Sequence, residues 1–321
     1  MLSTTLADAV RGHGGPSRDG YVVALVGSGI GPSLSPQLHE READELGLRY
    51  RYRRIDLDEW GLPAGAIGEI VEAARDAGYR GLNITHPCKQ AVLEHLDELS
   101  ADAGALGAVN TVVFDGDHAV GHNTDWSGFA RGLEKGLPAV SLDSVVLLGA
   151  GGAGAAVGHG LLTMGAGQVR IYDLDSARGE TLAASLRARF GATRATAGPV
   201  RDLEEGGLDT ADGLVHATPT GMVAYPGLPV PARLLRPDLW VADIVYRPLE
   251  TELVTTARAA GCRVLDGGRM AVFQAADAFR LFTGIEPDTA RMLRHFDVLA
   301  RTAPRVAATE TPHERQAPDV Q

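Results

Sequence analysis

SVVLLGAGGAG, residues 144–154, is the stretch whose reading decides the fold. An apolar run, Val145–Leu148, meets Gly149, Gly151 and Gly154 in the spacing G-x-G-x-x-G, and AAVGHGLL continues from them. Strand, glycine loop and helix in that order are the context in which this pattern binds a dinucleotide. Glycine lets the backbone approach the pyrophosphate, and the free N–H groups and dipole of the helix start meet its charge. Gly149, Ala150, Gly151, Gly152, Ala153 and Gly154 are therefore expected to line a cofactor. A discriminating residue belongs at the end of the next strand, about 20 residues on. There the chain reads IYDLDSAR, with Asp173 closing the strand and Asp175 nearby. A carboxylate accepts hydrogen bonds from a ribose 2′-hydroxyl and repels a 2′-phosphate. Nothing basic follows until Arg178, so NAD is expected over NADP. Asp175 fits the plainer role of capping the next helix.

Outward from this stretch, short apolar runs alternate with amphipathic ones. Tyr21–Gly27, Tyr50–Leu57, Gly81–Thr85 and Ala108–Phe114 read as strands of a first series. Ser144–Gly154, Val169–Asp173, Gly213–Thr218 and Leu239–Tyr246 form a second, which Cys262–Gly267 could close. Helical patterns between them indicate βαβ units and mostly parallel sheets, an α/β fold of two domains. Gly128–Asp143 reads as a helix and loop joining the two series. The expected organisation is a flexible extension over 1–20, a substrate-binding α/β domain over 21–125 and a dinucleotide-binding domain over 126–268. Helices over 269–301 bring no new strand and are expected to fold back on the first domain. A tail rich in Pro, Thr, Ala and charge, 302–321, is expected to be disordered.

The 321 residues carry 30 basic and 41 acidic side chains, a net charge of −11, and no dense Lys/Arg block. A nucleic-acid partner is therefore not expected. No apolar run approaches the roughly 20 residues of a membrane span, and the first residues lack the apolar core of a signal peptide. Two cysteines, Cys88 and Cys262, suggest no disulfide framework. A cytoplasmic enzyme is the default. Cys88 has no metal-like spacing and reads as a packing residue, so no metal is expected. A monomer or a homodimer is expected.

Four stretches outside the glycine loop carry more polar residues than packing needs. SLSP holds Ser33 and Ser35 after the first strand, where two hydroxyls suit a carboxylate or where one simply caps the helix opened by Pro36. GLNITHPCK offers Asn83, Thr85 and Lys89 where a strand gives way to a helix start. The following QAVLEHLDELS has Val92, Leu96 and Leu99 at helical spacing, and Pro87 suits a first turn. Lys89 is out of place there, because a cation at the positive end of a helix dipole is disfavoured by roughly 0.3–1 kcal/mol. AVNT offers Asn110 and Thr111, and GHNTDWSGF offers Asn123, Thr124 and Asp125. Taken alone, Asp125 would read as a helix N-cap.

Together these stretches resemble the shikimate/quinate dehydrogenase family over about residues 21–300. The markers are SLSP, NITHPCK, GAVNT, GHNTD, GAGGAG, ATPTGM, DIVYRPLET and DGGRMAVFQAADAFRLFTG, in that order. The NITHP-x-KQAVL run and the acidic IYDLD look most similar to the NAD-using quinate/shikimate branch from actinobacteria. The resemblance implies a substrate domain and a Rossmann domain with a cleft between them, and C-terminal helices returning to the first domain. It implies that Ser33 and Ser35 bind a substrate carboxylate. Thr85, Asn110 and Gln274 would hydrogen-bond ring hydroxyls, with Asn83 and Tyr246 as weaker candidates. Lys89 and Asp125 would be the catalytic pair. Thr218, Ile244, Gly267 and Met270 would join the glycine loop, Asp173 and Arg178 around the cofactor. One departure matters: NADP-using members usually carry Asn-Arg-Ser/Thr after the second Rossmann strand, where this chain has Asp173, Leu174 and Asp175.

The implied reaction is reversible hydride transfer between a nicotinamide and one carbon of a polyhydroxylated cyclohexane or cyclohexene carboxylate, interconverting shikimate and 3-dehydroshikimate or quinate and 3-dehydroquinate. Two roles for Lys89 stay open: it relays the hydroxyl proton, or it stays charged beside the developing alkoxide while a water relays. Two rival functions are a dehydrogenase of amino-substituted shikimate or quinate and a silent NAD-binding regulator. The second predicts loss of Lys89 or Asp125, and both are present.

Overall fold

The computed structural model describes Val10 and residues 20–302. The expectations of a flexible extension over 1–20 and a disordered tail over 302–321 fall mostly on 1–9, 11–19 and 303–321, which lie outside the described residues; Thr302, expected in the tail, instead closes the last helix. Val10 itself is buried, and its carbonyl accepts a hydrogen bond from the Tyr79 hydroxyl at 2.6 Å.

Two six-stranded sheets organise the chain. The first contains β1 (Tyr21–Gly27), β2 (Tyr50–Asp56), β3 (Gly81–Ile84), β4 (Glu98–Leu99), β5 (Thr111–Asp115) and β6 (His118–His122), in the order β2-β1-β3-β5-β6-β4. Its helices are α1 (Ser35–Glu45), α2 (Leu57–Trp60), α3 (Ile67–Asp76), α4 (Cys88–Ala91) and α5 (Ala101–Leu106). β1 lies in the interior with parallel neighbours β2 and β3, and Val22–Val26 are all buried. Such two-faced burial is what a near-continuous apolar strand requires. The sheet is mixed, because β3 meets β5 and β5 meets β6 antiparallel. β5 and β6 form a hairpin whose turn starts at Gly116, with φ +61°.

From the first sheet, α6 (Asp125–Gly136) leads to the second. That sheet contains β7 (Ser144–Leu148), β8 (Gln168–Asp173), β9 (Ala195–Pro199), β10 (Gly213–His216), β11 (Trp240–Asp243) and β12 (Arg263–Leu265), with helices α7 (Gly152–Thr163), α8 (Ser176–Phe190) and α9 (Glu252–Ala259). All its pairings are parallel, in the order β12-β11-β10-β7-β8-β9. Strand order reverses between β7 and β10, the switch point at which doubly wound sheets bind dinucleotides. The last helices, α10 (Gly268–Thr283) and α11 (Thr289–Thr302), return to the first domain. Phe282 of α10 packs with Val23, Leu25 and Tyr52, and Leu38 of α1 clusters with Met292 and Phe296 of α11. Each large apolar side chain so buried contributes roughly 1.5–3 kcal/mol. Glu42, fully buried on α1, adds an ion pair to Arg291 at 2.6 Å.

One expected helix is not there. α4 is a single turn that continues as a 3₁₀ turn over Val92–His95, and Leu96 is extended, with φ −115° and ψ 143°. Glu98 and Leu99 then pair with Val120 and Gly121 of β6. Leu96 and Leu99 do share a half-buried face, but it lies on Gly121, where an added Cβ would come within 2.6 and 2.9 Å of them. Pairing with β6 thus overrides a spacing that suits a helix. Besides β4, two further strands carry little apolar signal: β6 and β9 contain few large aliphatic residues, and β9 is an edge strand ending in Pro199. The expected strand over Leu239–Tyr246 stops at Asp243.

Candidate active site

Lys89 is the second residue of α4, and Asp125 is the first of α6. Lys89 Nζ donates to Asp125 Oδ2 at 2.5 Å, with both side chains mostly buried. Asp125 is not a cap: Asn123 Oδ1 accepts its backbone N–H at 3.1 Å, and its carboxylate bonds other side chains. Its other oxygen, Oδ1, accepts from Asn110 Nδ2 at 2.9 Å. Asn110 sits in a bend before β5, so the strand expected from Ala108 starts only at Thr111. Its amide is fully used: Nδ2 also donates to Thr124 Oγ1 at 3.0 Å, and Oδ1 accepts from Thr124 N at 2.7 Å and Thr111 Oγ1 at 3.0 Å. The Val109 N–H donates to the Lys89 carbonyl at 2.9 Å, tying the two stretches together. Asn110→Ala is therefore expected to release Asp125 and lower kcat about tenfold or more, as loss of a buried hydrogen bond to a charged group of roughly 1.5–3 kcal/mol implies. Steady-state kinetics beside a thermal melt checks this.

The other substrate-side residues are placed as follows. Asn83 lies buried in β3, its Oδ1 accepting from the Tyr52 hydroxyl at 2.7 Å and its Nδ2 donating to Thr111 Oγ1 at 3.0 Å. Its polar atoms thus serve the sheet, and Tyr52 is a member the sequence did not suggest. Thr85 is half-buried at the end of β3, with its methyl where a side chain at Gly27 would stand. Ser33 Oγ accepts from the Ser35 backbone N–H at 3.3 Å, at the start of α1. Around that serine loop stand two guanidinium groups: Arg54 donates to the Ser33 carbonyl at 3.0 Å, and Arg247 donates to the Pro32 carbonyl. Arg247 comes from the loop after β11, so this contact joins the two domains. Tyr246 beside it is partly exposed. Gln274 lies on α10 where α6 comes closest: a Cβ on Gly128 would stand 2.6 Å from the Gln274 backbone nitrogen. Its Nε2 donates to Ala271 O at 3.0 Å.

In the glycine loop the three glycines of the pattern differ physically. Gly149 has φ +97°, and a Cβ there would meet the Ala217 carbonyl oxygen at 2.6 Å. A Cβ on Gly154 would lie 2.0 Å from the Gly149 oxygen, so its absence lets α7 pack on β7. Gly151 and Gly152 face open space, with nothing within 4 Å. They stand at the N-terminus of α7, where N–H groups have no intrahelical partner. That is a cradle for a pyrophosphate, and the residues fit a dinucleotide. Gly267 abuts the Ile244 and Val245 carbonyls just past β11, which sets the start of α10, with Met270 in its first turn.

Asp173 is buried, and both its oxygens are engaged. Oδ2 accepts from Ala150 N at 2.7 Å, and Oδ1 accepts from Asp175 N at 2.8 Å and Arg178 Nη2 at 2.7 Å. Burial pushes this carboxyl up, but the bonds from Arg178 and the two backbone N–H groups more than offset it, and it lies below the ordinary range. Asp175 caps α8, accepting from Ala177 N and Arg178 N.

A nucleotide cradle at the switch point of one sheet and a Lys–Asp pair past the ends of β3 and β6 of the other define a two-domain, nicotinamide-dinucleotide-dependent oxidoreductase. Two family models match the chain, the shikimate dehydrogenase substrate-binding domain over residues 25–112 and the shikimate 5′-dehydrogenase C-terminal domain over 268–295. The NADP(+) shikimate dehydrogenase of Streptomyces avermitilis is 62% identical over 89% of this chain and 98% of its own length. The NAD(+) quinate/shikimate dehydrogenase of Corynebacterium efficiens is 48% identical over 87% of this chain and 99% of its own. Among solved structures, quinate dehydrogenase from Corynebacterium glutamicum in complex with NAD superposes with a TM-score of 0.84 at 48% identity, covering 88% of this chain and 100% of that one. The chain belongs to the shikimate dehydrogenase family, whose members are oxidoreductases acting on CH–OH groups. Its relatives divide between NADP and NAD. Among the described residues, no helix is long and apolar enough to cross a membrane.

Proposed function

We propose that this chain is an NAD-preferring dehydrogenase that interconverts shikimate and 3-dehydroshikimate, quinate and 3-dehydroquinate, or both. The observation that carries this reading is the Lys89–Asp125 pair, 2.5 Å apart and held from behind by Asn110. Bound nicotinamide supplies the hydride acceptor or donor. As a ring carbon gives up hydride, its hydroxyl must lose a proton, and Lys89 Nζ relays that proton while Asp125 Oδ2 fixes its position. Help of this kind is worth about 10²–10⁴-fold in rate. The hydroxyls of Ser33 and Ser35 receive the substrate carboxylate, and Arg54 and Arg247, bonded to the carbonyls of Ser33 and Pro32, put positive charge beside it. Thr85 and Gln274 meet ring hydroxyls. Because Asn83 and Asn110 make internal hydrogen bonds, this reading gives them the part of holding the site, in place of the ring contacts the resemblance implied. The enzyme works in the cytoplasm, as a monomer or homodimer.

NAD is preferred because Arg178, the basic residue that follows β8, is already paired. Arg178 donates to Asp173 at 2.7 Å, and Asp175 adds a second carboxylate, so a 2′-phosphate would meet a net negative charge. Asp173→Ala is expected to narrow the ratio of kcat/KM for NAD over NADP. An unchanged ratio for the two cofactors would remove Asp173 from the account.

A further inference from the structure

A buried chain of polar groups runs behind the cofactor cradle, across the ends of β10 and β11. His216, the last residue of β10, has no exposed surface. Its Nδ1 lies 2.9 Å from Asp243 Oδ1 at the end of β11, and its Nε2 lies 2.5 Å from Thr218 Oγ1. Asp243 also accepts from Val245 N at 3.0 Å and from the Thr251 hydroxyl at 2.6 Å. Thr251 in turn caps α9 through Val254 N. The carboxylate is surrounded by donors, so a neutral His216 ring must carry its proton on Nδ1 and present Nε2 as an acceptor. The Thr218 hydroxyl then donates to Nε2. Its oxygen accepts from Thr220 N at 3.2 Å and retains one lone pair.

Thr218 is half-buried, and its methyl would lie 3.0 Å from a Cβ on Gly149. It therefore stands at the switch point between β7 and β10. Asp173, on the β8 side of β7, marks the adenosine half of a dinucleotide. The β10 side consequently takes the nicotinamide half. We propose that His216, oriented by Asp243, is a positioning residue for the cofactor: by accepting the Thr218 hydroxyl's hydrogen bond it turns Oγ1 into an acceptor for a donor on the nicotinamide-side half. The inference rests on the dinucleotide reading of the glycine loop.

The test compares binding of NADH with binding of ADP, which has only the adenosine half, by isothermal titration calorimetry, with a thermal melt on each variant. Thr218→Val is expected to weaken NADH about tenfold, the scale of one hydrogen bond, and to leave ADP unchanged. Thr218→Ser restores NADH affinity. His216→Phe gives the same selective loss, and adding Thr218→Val to it brings little more, because both act through one hydroxyl. If His216→Phe does not fold, Asp243→Asn, which frees the ring to present the other tautomer, must reproduce the loss. Wild-type NADH affinity in Thr218→Val, equal losses for NADH and ADP, or additive losses in the double variant would overturn the proposal. If ADP does not bind the wild-type protein at all, it is the dinucleotide reading of the loop that fails.

Discussion

Replacing Lys89 by alanine is expected to lower kcat about 10²–10⁴-fold, the range of general acid–base catalysis, while leaving NADH affinity near that of the wild type. The split follows from position. Lys89 belongs to the first sheet's end and touches Asp125, whereas the nucleotide cradle is built from β7, α7 and the end of β8. Asp125→Ala should give a similar loss of turnover, and the double variant little more, since the two side chains act as one unit. Stopped-flow hydride transfer with NADH titration on the same preparations separates chemistry from binding. Near-wild-type turnover in Lys89→Ala sinks the proposed role.

The second large effect separates folding from binding within one loop. Gly154→Ala places a Cβ 2.0 Å from the Gly149 oxygen, which forces α7 off β7. Overpacking of that kind costs about 1–3 kcal/mol or more, so both Tm and NADH affinity should fall. Gly151→Ala meets nothing within 4 Å, and its backbone, φ −74° and ψ −173°, suits any residue. Its Tm should stay put while NADH binding weakens, because the methyl enters the space left for the pyrophosphate. A drop in Tm for Gly151→Ala, or full NADH affinity with either variant, contradicts the assignment of the loop.

Much of this was legible in the sequence, and the reasons are local. The second sheet announces itself because parallel strands buried on both faces read as unbroken apolar runs, and because glycine spacing reports a backbone requirement directly. Lys89 stood out because it broke a local preference, which is where functional residues tend to surface. The expected helix after it failed because the preference of Leu96 and Leu99 was satisfied by Gly121 on β6, a partner no local pattern reveals. Asn110 was singled out, yet its orientation of Asp125 depends on a bend before β5 and on Thr124 across it. The His216–Asp243 pair was invisible for the same reason: the two residues meet only because β10 and β11 lie side by side.

The most direct test of the central claim is kcat/KM of the purified protein for shikimate and for quinate, each with NAD and with NADP, followed by cofactor reduction. The expected result is turnover of at least one of the two acids, with NAD ahead of NADP, and collapse of that turnover in Lys89→Ala. No turnover of either acid with either cofactor, or equal turnover in Lys89→Ala, would contradict the account.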